Sequence, residues 1–179
     1  MAKLNKKQKY LQIALNSTLE EARNIISQLP LDKRIIIEAG TPLIKNYGVE
    51  GIRAIRNFWS AKVLGNFQRE IKTMSWKDIF QAVKEKKIEE TQEVMQTPYI
   101  VADLKCMDRG KTEVRLAKEG GASAATVLGS APLETINAFL EECKKLELDS
   151  MIDMMNIEYP LSILRELKQL PDVVILHRG

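Results

Sequence analysis

Asp103, Lys105 and Asp108 fall within one short stretch, Asp-Leu-Lys-Cys-Met-Asp, that follows the apolar run Tyr99-Ile-Val-Ala102. The apolar run reads as a strand over Tyr99 to Asp103, and residues two apart on a strand share a face. Asp103 and Lys105 therefore point the same way, and Asp108 follows in the turn. Two carboxylates and an ammonium at one strand end can hold a metal and carry acid/base chemistry. The plainer alternative is a solvated charged turn, because short motifs of this kind have weak specificity.

Other polar residues close other apolar runs. Asn16 follows Leu11–Leu15, Glu38 ends Arg34-Ile-Ile-Ile, Asp153 ends Ser150-Met-Ile, and His177 follows Val173–Leu176. Each has a structural alternative: Glu38 capping its own turn, Lys105 as a surface lysine, Asp153 as a structural acceptor, His177 as a structural histidine. Together with Asp103 and Lys105 they come from five strands whose bodies are apolar, and scattered solvated charges have no reason to choose one edge repeatedly. Glu38 and Asp103 suit a hard cation such as Mg²⁺, which takes one or two carboxylates and completes its shell with water and substrate oxygens. Lys105 would meet negative charge developing on a bound substrate. His177, the single histidine, has an unperturbed pKa near neutrality and could move protons. The set fits enolate or enediolate chemistry on a sugar phosphate.

The elements that must hold these residues alternate. After the first strand, Ser17-Thr18-Leu19-Glu20-Glu21 gives two overlapping capping boxes and a helix to about Gln28, stopped by Pro30. The second strand, Arg34 to Glu38, has three consecutive isoleucines, as in a parallel strand covered on both faces. Ala39-Gly40-Thr41-Pro42 reads as a turn. Val49, Ile52, Ile55, Phe58 or Trp59, Val63, Phe67 and Ile71 then recur at helical spacing, and a second amphipathic helix is expected from Ser75. After the third strand come a helix over about Lys111 to Glu119 with Gly120-Gly121 as its C-cap, and a strand over Ala124 to Leu128. Pro132 opens a helix whose inner face is Leu133, Ile136, Phe139, Leu140 and Cys143, followed by the fifth strand, Ser150 to Asp153. A helix from Pro160 with Leu161, Leu164, Leu167 and Leu170 inward precedes the sixth strand. Repeated strand–helix steps with no hairpin signal predict parallel βαβ units, whose functional residues lie at the carboxyl ends of the strands.

The 179 residues suffice for one domain with a substantial core, read here as a single domain over 1–179 with a helical insertion at about 59–96. The net charge of +3 is too small to argue for nucleic acid, and the basic start (Lys3, Lys6, Lys7, Lys9) reads as a solvated terminus. No apolar run reaches membrane-spanning length, so no membrane is expected. Cys106 and Cys143 form no metal or redox spacing, and reduced thiols in a cytoplasm are expected. A catalytic thiol at Cys106 is disfavoured by the neighbouring aspartates. The Gly129-Ser130 turn could bind phosphate at a helix N-terminus or be a plain turn.

Leu11-Gln-Ile-Ala-Leu-Asn16, Ile37-Glu-Ala-Gly-Thr-Pro-Leu-Ile44, Ala102-Asp-Leu-Lys-Cys-Met-Asp108, Thr126-Val-Leu-Gly129 and Leu176-His-Arg-Gly179 resemble successive strand ends of 3-hexulose-6-phosphate synthases. The run Met107 to Ala117 is similar to the archaeal branch. That resemblance implies the orotidine-5'-phosphate decarboxylase superfamily and its TIM (β/α)8 barrel. It implies an aldehyde-lyase joining D-ribulose 5-phosphate and formaldehyde to give D-arabino-hex-3-ulose 6-phosphate, with Mg²⁺. Glu38 and Asp103 would then hold the metal, and Lys105 would stabilise a 1,2-enediolate. His177 would shuttle the proton, and Asn16 and Asp153 would touch substrate. Asp108 would reach a neighbouring subunit's site, which implies a homodimer. The first strand ends in Asn16 where the family has aspartate. The chain is also read as stopping after the sixth strand, so an incomplete barrel of about six βα units, without the phosphate-binding loops, is expected. The alternatives are a 3-keto-L-gulonate-6-phosphate decarboxylase and a non-catalytic interaction protein.

Overall fold

A computed structural model describes residues 4–73 and 98–177 of the chain. Among the described residues, six strands form one parallel sheet in sequential order. They are β1 (Leu11–Leu15), β2 (Ile35–Ala39), β3 (Ile100–Cys106), β4 (Ala124–Leu128), β5 (Asp149–Asp153) and β6 (Val173–Ile175). The helices between them are α1 (Leu19–Gln28), α2 (Thr41–Thr73), α3 (Gly110–Gly120), α4 (Leu133–Lys145) and α5 (Pro160–Glu166). The result is an open half-barrel of the parallel strand–helix units that the alternation predicts, consistent with the partial barrel implied by the resemblance.

Period two divides each strand between two faces. Ile37, Ala102, Ala125 and Ile152 join the large core under the helices, with Ala22, Ile26, Ile52, Ile55, Val114, Ile136 and Phe139. Ile36, Val101, Ala124 and Met151 form a separate cluster on the concave face. Two residues further along the same strands, Glu38, Asp103, Thr126 and Asp153 occupy that face, so the alternation that fills the barrel floor also aims the polar groups at its mouth. At the opposite end Asp149, 1% exposed, accepts from the Tyr99 hydroxyl at 2.5 Å and from the Leu4 N–H at 3.3 Å, which ties the amino-terminal segment across the floor.

Several sequence expectations change. The third strand runs to Cys106, so Asp103 and Lys105 lie within it rather than at its end. Thr41 opens α2 instead of belonging to a turn, and the helix begins eight residues before the periodic pattern at Val49. The break is at Gly48 (φ 58°, ψ −144°), a backbone state reserved for glycine, which divides α2 and resets its periodicity. The last helix stops at Glu166, and Leu161 (64%) and Leu170 (71%) are exposed rather than inward. Beside the edge strand β6 no further helix among the described residues packs on that face. Leu176 likewise leaves the sheet and is exposed. Trp59 and Val63, where the insertion was expected to begin, are buried in the main core. Residues 74–97, including the helix expected from Ser75, lie outside the described residues.

Candidate active site

The site is built around a local irregularity in β3. Ala102 pairs with Ala125 and Cys106 with Val127, so four steps along β3 match two along β4. The surplus forms a bulge, a device that re-aims a side chain. Lys105 sits in it with φ +44°, a left-handed state uncommon for a residue with a side chain. Its ammonium lies 3.0 Å from Asp103 Oδ2 and 3.0 Å from Asp153 Oδ2. Burial alone would lower the lysine's pKa, but the bonds to Asp153 and Asp103 outweigh it and raise it, so the ammonium stays charged through neutral pH.

Asp153 is 1% exposed and joins three groups. Oδ2 accepts from Lys105 Nζ and lies 3.0 Å from His177 Nδ1, and Oδ1 accepts from the Met155 N–H at 2.9 Å. Burial pushes its carboxyl up, but the bonds from Lys105, His177 and Met155 win and hold it below the ordinary carboxylate value. An ionised carboxylate only accepts, so His177 Nδ1 must carry the proton. The neutral ring then keeps its lone pair on Nε2, the atom a general base needs.

Asp103 is 7% exposed, and protein donors surround its carboxylate. Thr126 donates to Oδ1 at 2.8 Å, and Thr41 donates to Oδ2 at 2.9 Å from the start of α2. Glu38 accepts from Gln12 of β1. Burial raises the Glu38 carboxyl, opposed by Gln12 and reinforced by the negative charges of Asp103 and Asp153. A carboxylate destabilised by burial and by like charge is one that a hard cation would favour. Glu38 and Asp103 place carboxylate oxygens, the donor type a hard divalent ion takes, on one face of the sheet. No cluster of three or more His, Cys, Asp or Glu side chains arranged for a metal occurs among the described residues.

The remaining expected residues stand apart. Asn16 is exposed at the end of β1, its side chain lying over the β2–α2 turn. A Cβ at Gly40 would come within 1.8 Å of Asn16 Oδ1 and 3.1 Å of the Leu15 carbonyl oxygen, so a side chain there would displace Asn16. Asp108 is exposed, and its backbone carbonyl accepts from the Cys106 thiol at 2.9 Å. Burial, with the nearby charge of Glu113, pushes that thiol up to about 11, which leaves it protonated and a poor nucleophile. Gln12, Thr41 and Thr126 were not singled out from the sequence. The available signal was strand phase: Gln12 and Thr126 each stand an even number of residues from a concave-face position.

A family model described as "Orotidine 5'-phosphate decarboxylase / HUMPS family" matches residues 74–179. The chain is 38% identical over 171 residues to the "Bifunctional enzyme Fae/Hps" of Methanocaldococcus jannaschii, and 35% identical to that of Methanosarcina barkeri. Each match covers 95% of this chain, which spans about a third of the length of those curated relatives (35% and 34%). Among solved structures, 3-hexulose-6-phosphate synthase from Salmonella typhimurium superposes with a TM-score of 0.65 at 26% identity, covering 95% of this chain and 64% of that one.

Proposed function

Because the chain belongs to the orotidine 5'-phosphate decarboxylase / HUMPS family, we propose that it carries the lyase site of a hexulose-phosphate synthase, joining D-ribulose 5-phosphate and formaldehyde. The observation that supports this most is Asp153 Oδ2, which lies 3.0 Å from both Lys105 Nζ and His177 Nδ1. That arrangement supplies a fixed cation and a base of defined tautomer on one face of the barrel mouth.

The roles follow from the charges. His177 Nε2 removes the proton from C1 of the ribulose, and the Lys105 ammonium faces the negative charge that spreads over the enediolate oxygens. Glu38 and Asp103 would hold Mg²⁺, which supplies Lewis-acid stabilisation of the same oxygens. C1 then bonds to the formaldehyde carbon, and the proton returned by the imidazolium converts the new alkoxide to a hydroxyl. No net proton is gained or lost. Asp153 acts as a positioning residue through both partners. Asn16, neutral where the family has aspartate, hydrogen-bonds a substrate hydroxyl. Asp108, exposed on the turn after β3, serves the site of a second copy in a homodimer. No helix among the described residues is long and apolar enough to cross a membrane.

The test is condensation of ¹³C-formaldehyde with D-ribulose 5-phosphate in the presence of Mg²⁺, followed by ¹³C NMR. The label is expected to move into the hydroxymethyl carbon of a hexulose 6-phosphate. Release of CO₂ from 3-keto-L-gulonate 6-phosphate with no labelled hexulose would replace this reading with the decarboxylase.

A further inference from the structure

We propose that Thr126 is a positioning residue whose hydroxyl couples the backbone of Lys105 to the carboxylate of Asp103 and so sets where both groups point. Its consequence for turnover rests on the lyase reading above. Thr126 is 1% exposed and lies on β4, between β3 and β5, beside Met151. Its Oγ1 is 3.1 Å from the Lys105 N–H and 2.8 Å from Asp103 Oδ1. A hydroxyl has one proton, an amide only donates, and a carboxylate only accepts. The direction is therefore fixed: Lys105 N–H donates to Thr126, and Thr126 donates to Asp103.

The location explains why a hydroxyl is needed there. The bulge removes the regular ladder between Ala102 and Cys106, so the Lys105 amide needs an acceptor other than the β4 backbone. Thr126 provides it from a strand whose other side is locked to β5. Its β-branched side chain has few rotamers, so it transmits the position of β4 to the bulge. Thr41 cannot substitute. Its Oγ1 lies 2.9 Å from both the other Asp103 carboxylate oxygen and the Asp103 carbonyl, so its single proton is used on Asp103, and no bond to Lys105 is made. One buried hydroxyl thus stabilises the left-handed residue and orients the carboxylate beside it.

The experiment compares Thr126→Val, which keeps the shape, with Thr126→Ser, which keeps the hydroxyl. In ¹⁵N-labelled protein the Lys105 amide is expected to exchange with solvent about tenfold faster in the valine variant, while the serine variant remains close to the parent. The valine variant is expected to lose about 10–100-fold in kcat, with KM little changed and turnover restored by serine. An unchanged Lys105 amide, unchanged kcat in the valine variant, or a serine variant as impaired as valine would each overturn the proposal. A parent chain that binds ribulose 5-phosphate without turning it over would contradict the lyase reading. The amide exchange alone would then decide the positioning.

Discussion

Replacing Lys105 with alanine is expected to lower kcat/KM for condensation by about 10²–10³-fold, the usual effect of losing one preorganised donor facing a developing oxyanion. The same change removes the counter-charge between Asp103 and Asp153, both nearly dry. Removing one partner from a buried pair costs about 3–5 kcal/mol, and Lys105, one-quarter exposed, belongs near the lower end of that range. A pH series separates the two effects. Asp153 titrates below its unfolded value, so its contribution to stability is present above that unfolded pKa and is lost as pH falls through the folded one. Thermal melts should therefore show the widest gap between parent and variant near neutrality, narrowing on acidification below about pH 4. A constant gap at all pH values would mean that the lysine contributes packing rather than charge. Lys105→Met, which keeps most of the side-chain volume, should lose as much activity as the alanine variant.

Asp153→Asn should lower kcat by about 10²–10⁴-fold. The amide is nearly the same size but carries no charge, and it can present an NH₂ group where the carboxylate accepts. His177 then loses the partner that holds the proton on Nδ1, and Lys105 loses one of its two anions. Both the cation and the base are affected by one substitution, so the effects of Asp153→Asn and His177→Asn should be far from additive. The informative measurement is the double variant. Its kcat should be close to that of the weaker single variant, whereas a product of the two losses would show that Asp153 and His177 act independently.

Much of the fold could be read from the chain because parallel strands covered on both faces are written as uninterrupted apolar runs. Ile35-Ile-Ile is such a run, and it precedes Glu38 at the barrel mouth. Asp103, Lys105, Asp153 and His177 meet in space because five repeats of one connection bring the ends of six strands to the same rim. The bulge could not be read. Nothing in Asp-Leu-Lys-Cys marks Lys105 as left-handed, since the state is imposed by register against β4 rather than by local preference. Thr126 was hidden for a related reason. Threonine is a common strand former, and only its partners distinguish it from a packing residue. The leucine stripe of the last helix misled because period alone does not say whether anything covers the second side. Gly48 obscured the start of α2 by resetting the phase between Thr41 and Val49.

Enediolate formation itself is read most directly by solvent exchange at C1 of D-ribulose 5-phosphate in D₂O with Mg²⁺ and no formaldehyde, followed by ¹H NMR. The parent chain is expected to wash deuterium into C1 at a rate that falls by about 10²–10³-fold on Lys105→Ala. A parent chain that binds the sugar phosphate while its C1 protons remain unexchanged would contradict the assignment of Lys105, Asp153 and His177 to this chemistry.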